Sequence, residues 1–291
     1  MNTSPDNPEA RPEVRPEAHL KTQSELAPAV PDATEPFAGP SVEAVPAVPR
    51  DPVWSGLDVF RLLIIALVIL FASVFATLAF VPGATFKARV FRLSTVPELL
   101  IVAQMLAYVL VLGYMYILVT KERRSPRFWK TIHWNWPANI WPFVAGGLAM
   151  QIVFLFLGRL LPFPKETPFD ALLRRPSAVV LIAVFAVTLG PLMEELFFRG
   201  FFYPVLARRF GMGTGISVSA LGFGLMHVVQ YGYSWASVLL IFLVGVVLGV
   251  VRARKDSVAA GFLVHAGYNG TIILMLLIAT DGFRHLEKLS Q

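Results

Sequence analysis

Cysteine is absent from all 291 residues. That excludes disulfides, thiolate metal sites and cysteine nucleophiles. Charge is scarce too: 15% of residues are Asp, Glu, Lys or Arg, against about a quarter in soluble domains. With 56% hydrophobic residues and a mean hydropathy of +0.64, the chain reads as a membrane protein. Aromatic side chains are nearly missing from residues 1–50, where Phe37 stands alone among ten prolines. Such a stretch cannot bury enough apolar surface to offset chain entropy, which predicts a disordered tail over 1–52. It also lacks the charged start and apolar run of a cleavable signal peptide. That tail holds four Lys/Arg against eight Asp/Glu, and the remaining residues hold 21 against 11, or +10 (21 − 11). A net positive hydrophobic part suits anionic lipid headgroups. No basic soluble patch is visible, so nucleic acid is not an expected partner.

What the chain has in quantity is long apolar runs. A span needs roughly 20 apolar residues to cross about 30 Å of hydrocarbon. Seven stretches qualify: about 57–81, 97–120, 138–161, 177–207, 214–232, 234–252 and 257–280. Counting an amphipathic extension of the fourth separately gives eight. The predicted fold is an all-α polytopic transmembrane bundle of about seven to eight spans. Spans 1–3 (53–165) form an accessory part and 166–280 a catalytic core. All six tryptophans (Trp54, Trp129, Trp134, Trp136, Trp141, Trp235) fall at proposed span edges, where indole rings favour the headgroup level. The basic loops "KERRSPRFWK" (121–130) and "RARK" (252–255) are expected on the cytoplasmic side. That places the N-terminus inside and the C-terminus outside.

Ionisable residues at membrane depth are costly and usually mark function. Three segments carry them. In "EELFFR" (194–199), Glu195 and Arg199 are i, i+4 neighbours able to pair. Glu194 sits about 100° round the helix, free for another partner. In "FGLMH" (223–227) Phe223 and His227 share a face, as do His265 and Asn269 in "HAGYN" (265–269). Each has a plain structural reading: interfacial charge, a satisfied interhelical hydrogen bond, or Asn269 as helix–helix glue. Jointly they do not. The other histidines, His19, His133 and His285, lie in the tail, a loop and the C-terminus. Taken as straight helices, the spans leave a gap in depth. The two histidines fall about 12 and 20 Å from the cytoplasmic end, and Glu194 only a few Å from it. A tilt or a kink at Gly190-Pro191 has to close that gap.

Elimination narrows the chemistry. "GISVS" (215–219) lacks the final glycine of a serine nucleophile elbow. Asp58 and Asp281 lie at span ends, which removes an intramembrane aspartic dyad. No His-Glu-x-x-His helix exists. A glutamate, two histidines and an asparagine on three helices remain. A carboxylate can take a proton from water that a histidine helps hold. A second imidazole and an amide can donate to an oxyanion. Peptide hydrolysis fits those parts.

The three motifs, Glu-Glu-x-x-x-Arg, Phe-x-x-x-His and His-x-x-x-Asn, stand here in order. Through them the chain resembles the CAAX-protease and bacteriocin-processing (CPBP, abortive-infection type) intramembrane proteases, relatives of the type II prenyl endopeptidase. The resemblance covers roughly 177–275. It implies that Glu194 is the general base and His227 orients the water. His265 and Asn269 would stabilise the oxyanion, and Glu195 and Arg199 would shape the first motif. It leaves open a divalent metal such as zinc on Glu194, His227 and His265 or a metal-free activated water. It also implies a multi-pass protein of a prokaryotic cell (inner) membrane, whose partners are membrane lipids and a peptide or protein substrate, with lipid modification of that substrate left open. Nothing in the chain reads a prenyl group specifically, though Phe197, Phe198, Phe201 and Phe202 are candidates for a lipid-facing groove. The rival readings are a non-enzymatic immunity or scaffold protein of the same family, and a proton-coupled carrier.

Overall fold

The computed structural model describes residues 52–164, 166–173 and 175–287. The tail expected to be disordered falls, apart from Pro52, outside the described residues. Everything regular within them is helical: α1 (Gly56–Phe80), α2 (Phe86–Thr95), α3 (Pro97–Ile117, continued by a π-helical turn Leu118–Glu122), α4 (Phe128–Thr131), α5 (Trp141–Gly158) and α6 (Pro168–Leu173). Then come α7 (Pro176–Val187), α8 (Leu189–Glu195), a π-helical turn Leu196–Phe202, α9 (Tyr203–Phe210), α10 (Met212–Met226), α11 (Trp235–Lys255) and α12 (Val258–Ala279). Among the described residues, six helical stretches are long and apolar enough to cross a membrane, with α7 to α9 counted as one of 35 residues. The chain is an integral membrane protein. Helix α10 supplies a seventh apolar rod but has only 15 residues. The run expected to continue to 232 stops at His227, because residues 227–233 turn back toward α11.

The fourth span is broken where sequence places Gly190-Pro191. Proline lacks the N–H that would bond Val187, so the helix stops. Thr188 takes φ −117° and ψ −83°, and α8 restarts with Pro191 in its first turn, where no donor is needed. With this break and the early end of α10, Glu194 and both histidines meet, each Nε2 lying 3.9 or 3.7 Å from the Glu194 carboxylate.

Close helix approach sets the rest of the bundle. A Cβ on Gly147 of α5 would lie 2.2 Å from the Val264 carbonyl, and one on Gly267 of α12 2.5 Å from that of Val144. Only glycine permits this crossing. At one end of the bundle, charged groups tie the helices together. Asp58, in a capping box with Ser55, pairs with Arg123, and Arg61 pairs with Glu122. Here too the stretches that follow the two basic loops meet: His133 Nδ1 lies 2.8 Å from Asp256 Oδ2, and Asn135 donates to the Asp256 carbonyl at 2.9 Å.

Two sequence readings need correction. Trp54 is not an interfacial anchor: it is 1% exposed, stacks on Phe201 at 4.6 Å and donates to its carbonyl at 3.0 Å. Trp129, Trp136, Trp141 and Trp235 do stay exposed. The phenylalanines after Glu195 form no lipid-facing groove. Phe198 and Phe201 are buried, and Phe197 and Phe202 pack against the same cores. They lie in the π turn, and their rings gain packing contacts inside the bundle and not a transfer out of water.

Candidate active site

Helices α8, α10 and α12 bring the three motifs to one cavity of about 480 Å³, lined among others by Glu194, His227, His265 and Asn269. His227 Nε2 lies 3.9 Å from Glu194 Oε1, and His265 Nε2 lies 3.7 Å from Glu194 Oε2. Both separations exceed a hydrogen bond.

The tautomers follow from the other ring nitrogens. His227 Nδ1 lies 2.8 Å from the Phe223 carbonyl, which can only accept. The Nδ1 of His265 lies 3.1 Å from Glu195 Oε1, which is held by Arg199. Each neutral ring therefore donates through Nδ1 and turns an Nε2 lone pair toward Glu194. Three acceptors then face one gap. A water molecule there can donate one proton to the Glu194 carboxylate and the other to one of the imidazoles.

Behind this gap the site is dry and charged. Glu195 and Arg199 are 0% and 1% exposed and paired at 2.8 Å. Arg199 also donates to the Gly245 carbonyl at 2.9 Å and lies 4.7 Å from the Phe223 ring centroid. Phe223 packs edge-on against His265 at 5.7 Å and beside His227 at 4.9 Å. The first residue of the second motif thus has a physical role, because its one ring spaces the guanidinium and both imidazoles. Asn269 donates 2.7 Å to the carbonyl of Ala186, two residues before the break. One of its N–H groups thus fastens α12 to the end of α7, and the other remains.

Several residues of the site carried no usable signal in the sequence. Arg252, read there only as part of a basic loop, is 5% exposed and donates to the Arg199 carbonyl at 3.2 Å and to Asp256 at 2.7 Å. In a π turn the usual i, i+4 bonds are displaced, so an outside donor on that carbonyl pins the turn. Gln104 and Tyr108 of α3, with Gln230 and Tyr231 of the loop after α10, also line the cavity. As for a metal, two imidazole lone pairs and a carboxylate are donors that suit zinc. Among the described residues, however, no three His, Cys, Asp or Glu side chains are gathered as a metal-holding cluster.

Fold and site define a polytopic helical membrane protein with a glutamate–histidine cluster buried in its bundle. Residues 176–271, from α7 into α12, match the family model described as type II CAAX prenyl endopeptidase Rce1-like. Neither the curated proteins nor the solved structures contain a match to the chain.

Proposed function

We propose that this protein is an intramembrane endopeptidase in which Glu194 activates a water molecule. The observation that carries the reading is the convergence of Glu194 with both Nε2 atoms, at 3.9 and 3.7 Å, on the wall of one cavity. His227 and His265 orient that water, and Glu195 fixes the His265 tautomer. Glu194 takes the water proton while the water oxygen adds to the peptide carbonyl carbon, and the carbonyl electron pair moves onto its oxygen. Collapse breaks the C–N bond, and Glu194 returns the proton to the leaving amine. On the oxyanion side, Asn269 has its second N–H to offer, while His265 can donate through Nε2 only when protonated. A divalent ion on Glu194, His227 and His265 would supply a more acidic water.

The substrate class that fits is a peptide presented within the membrane of a prokaryotic cell, lipid-modified or simply apolar. Leu100, Ile101, Ile182, Phe185, Ile272 and Ile273 give the cavity an apolar wall, and the family's name points to prenylated peptides. Purified protein in proteoliposomes, given a quenched fluorogenic farnesylated peptide, should cleave it. Glu194→Gln keeps the shape and removes the base, so cleavage should fall at least ~100-fold. Full turnover in that variant would leave the non-enzymatic bundle as the better account. Loss on chelation with recovery on zinc would favour the metal version, and indifference the water alone.

A further inference from the structure

We propose that Tyr108, on accessory helix α3 and outside the family-matched segment, donates a hydrogen bond to the substrate carbonyl oxygen as it becomes anionic. The inference rests on the hydrolytic reading above and adds a residue that the three motifs do not contain. An oxyanion needs donors that are not committed elsewhere. In their neutral tautomers both histidines turn lone pairs, not protons, into the cavity. Asn269 has one N–H fixed on Ala186.

The remaining cavity donors are three phenols and two glutamine amides. Tyr268 leans toward α5, edge-on to Phe154 at 6.3 Å, and also lines a smaller cavity between α5 and α11. Tyr231 lies on the His227 side, 6.5 Å from that ring, and against Phe169 at 6.1 Å. Tyr108 lines the same cavity from α3. Its ring stacks on Phe185 at 5.6 Å and 18°, and Phe185 precedes the carbonyl that Asn269 holds. Gln104, one turn earlier on the same helix, and Glu194 line the same cavity as Tyr108. A phenol carries one O–H that can donate to an oxyanion while its oxygen accepts from a neighbour.

No proton leaves Tyr108 in the reaction. The water proton goes to Glu194, the water oxygen bonds to carbon, and the displaced electron pair rests on the oxygen that Tyr108 holds. Preorganised donation of this kind is worth about 100-fold in rate. The accessory spans then complete the active site as well as supporting it.

The test compares full-length wild type, Glu194→Gln, Tyr108→Phe and Tyr114→Phe on the farnesylated fluorogenic peptide. Tyr114 is a control in the last turn of the same helix, off the cavity lining: its hydroxyl accepts from Arg61 at 2.6 Å. Tyr108→Phe should lower kcat about 100-fold, with KM within about threefold, while Tyr114→Phe stays near wild type. A phosphinic analogue of the peptide, which mimics the tetrahedral oxyanion, should bind Tyr108→Phe at least ~30-fold more weakly. Substrate affinity, measured in the Glu194→Gln background, should not change. Wild-type kcat in Tyr108→Phe, or equal weakening of analogue and substrate, overturns the assignment while leaving hydrolysis intact. Absence of cleavage by the wild type, with no preference for the analogue, overturns both.

Discussion

Glu194 and Glu195 are neighbours in the chain, yet their side chains end in different media. Glu194 is 17% exposed, borders the cavity and is separated from both imidazoles by more than a hydrogen bond. Glu195 is fully buried and bound to Arg199 and His265. Helix α8 thus has a wet side that can exchange protons and a dry side that cannot rearrange cheaply. The dry side continues outward through Arg252 to Asp256 and His133 at the end of the bundle. One chain of polar contacts therefore grades from full burial to solvent. Substitutions along it should cost stability in proportion to burial, whereas those on the cavity side should cost activity.

The sharpest break in that comparison is Arg199→Ala. It strands the Glu195 carboxylate in the interior, and removing one partner of a buried pair costs about 3–5 kcal/mol. Little folded protein should survive, read as a collapse of the thermal midpoint in detergent. Glu194→Gln, in contrast, should melt within about 0.5 kcal/mol of wild type, because the amide keeps the shape and the carboxylate stands beyond hydrogen-bond distance of both imidazoles. The double change Glu195→Leu with Arg199→Met should recover part of the loss, since apolar pairs replace buried ion pairs well. It should stay inactive, because His265 loses its Nδ1 partner. Equal melting of Arg199→Ala and Glu194→Gln would abolish the distinction.

A second probe acts on the dry side by shape alone. A Cβ on Gly261 would sit 2.8 Å from Glu195 Oε2, an atom with no hydrogen-bond partner in the protein. Alanine favours a helix by about 1 kcal/mol over glycine, but overpacking here costs about 1–3 kcal/mol. Gly261→Ala should therefore lower the thermal midpoint and the cleavage rate together. Gly270→Ala, whose new Cβ would meet Val187 at an ordinary 3.8 Å, should be neutral or stabilising. A stabilised, active Gly261→Ala protein would mean that Glu195 is not seated as described.

The wet and dry sides differ in how far sequence discloses them. Apolar runs located α1, α3, α5, α11 and α12, and the three motifs marked the residues that converge on the cavity. Those signals are local: run length, and i, i+4 spacing. The break at Thr188 was foreshadowed by Gly190-Pro191, but its direction depends on Asn269 gripping Ala186 from another helix. Trp54 and Phe201 were misread because an indole before a span looks the same whether it meets lipid headgroups or a π turn. Arg252 looked like topology, and Gln104 and Tyr108 lay unremarked inside an apolar run. The Arg199 carbonyl that Arg252 meets is 53 residues away, Phe185 is further still from Tyr108, and no local pattern records such pairings.

The smallest expected effect lies at the exposed end of the network. Burial alone pushes the Asp256 carboxyl up, but hydrogen bonds from His133 and Arg252 outweigh it and hold the group below its ordinary value of 3.8. A carboxylate with a lowered folded pKa stabilises above its unfolded pKa, and that contribution disappears as pH falls through the folded value. Wild type should therefore lose a little stability below about pH 4 that Asp256→Asn does not lose. The substitution isolates charge. Asp256 caps α11 with φ 48°, and asparagine tolerates that left-handed conformation. Because the side chain is 65% exposed, screening should keep the difference at about 1 kcal/mol or less, shrinking further in high salt. Thermal midpoints of both proteins between pH 3 and pH 7, at low and high salt, are the measurement. A loss in Asp256→Asn as large as that of Arg199→Ala would mean that the network does not grade with burial, and the outer ion pairs would then hold the π turn as firmly as the inner one.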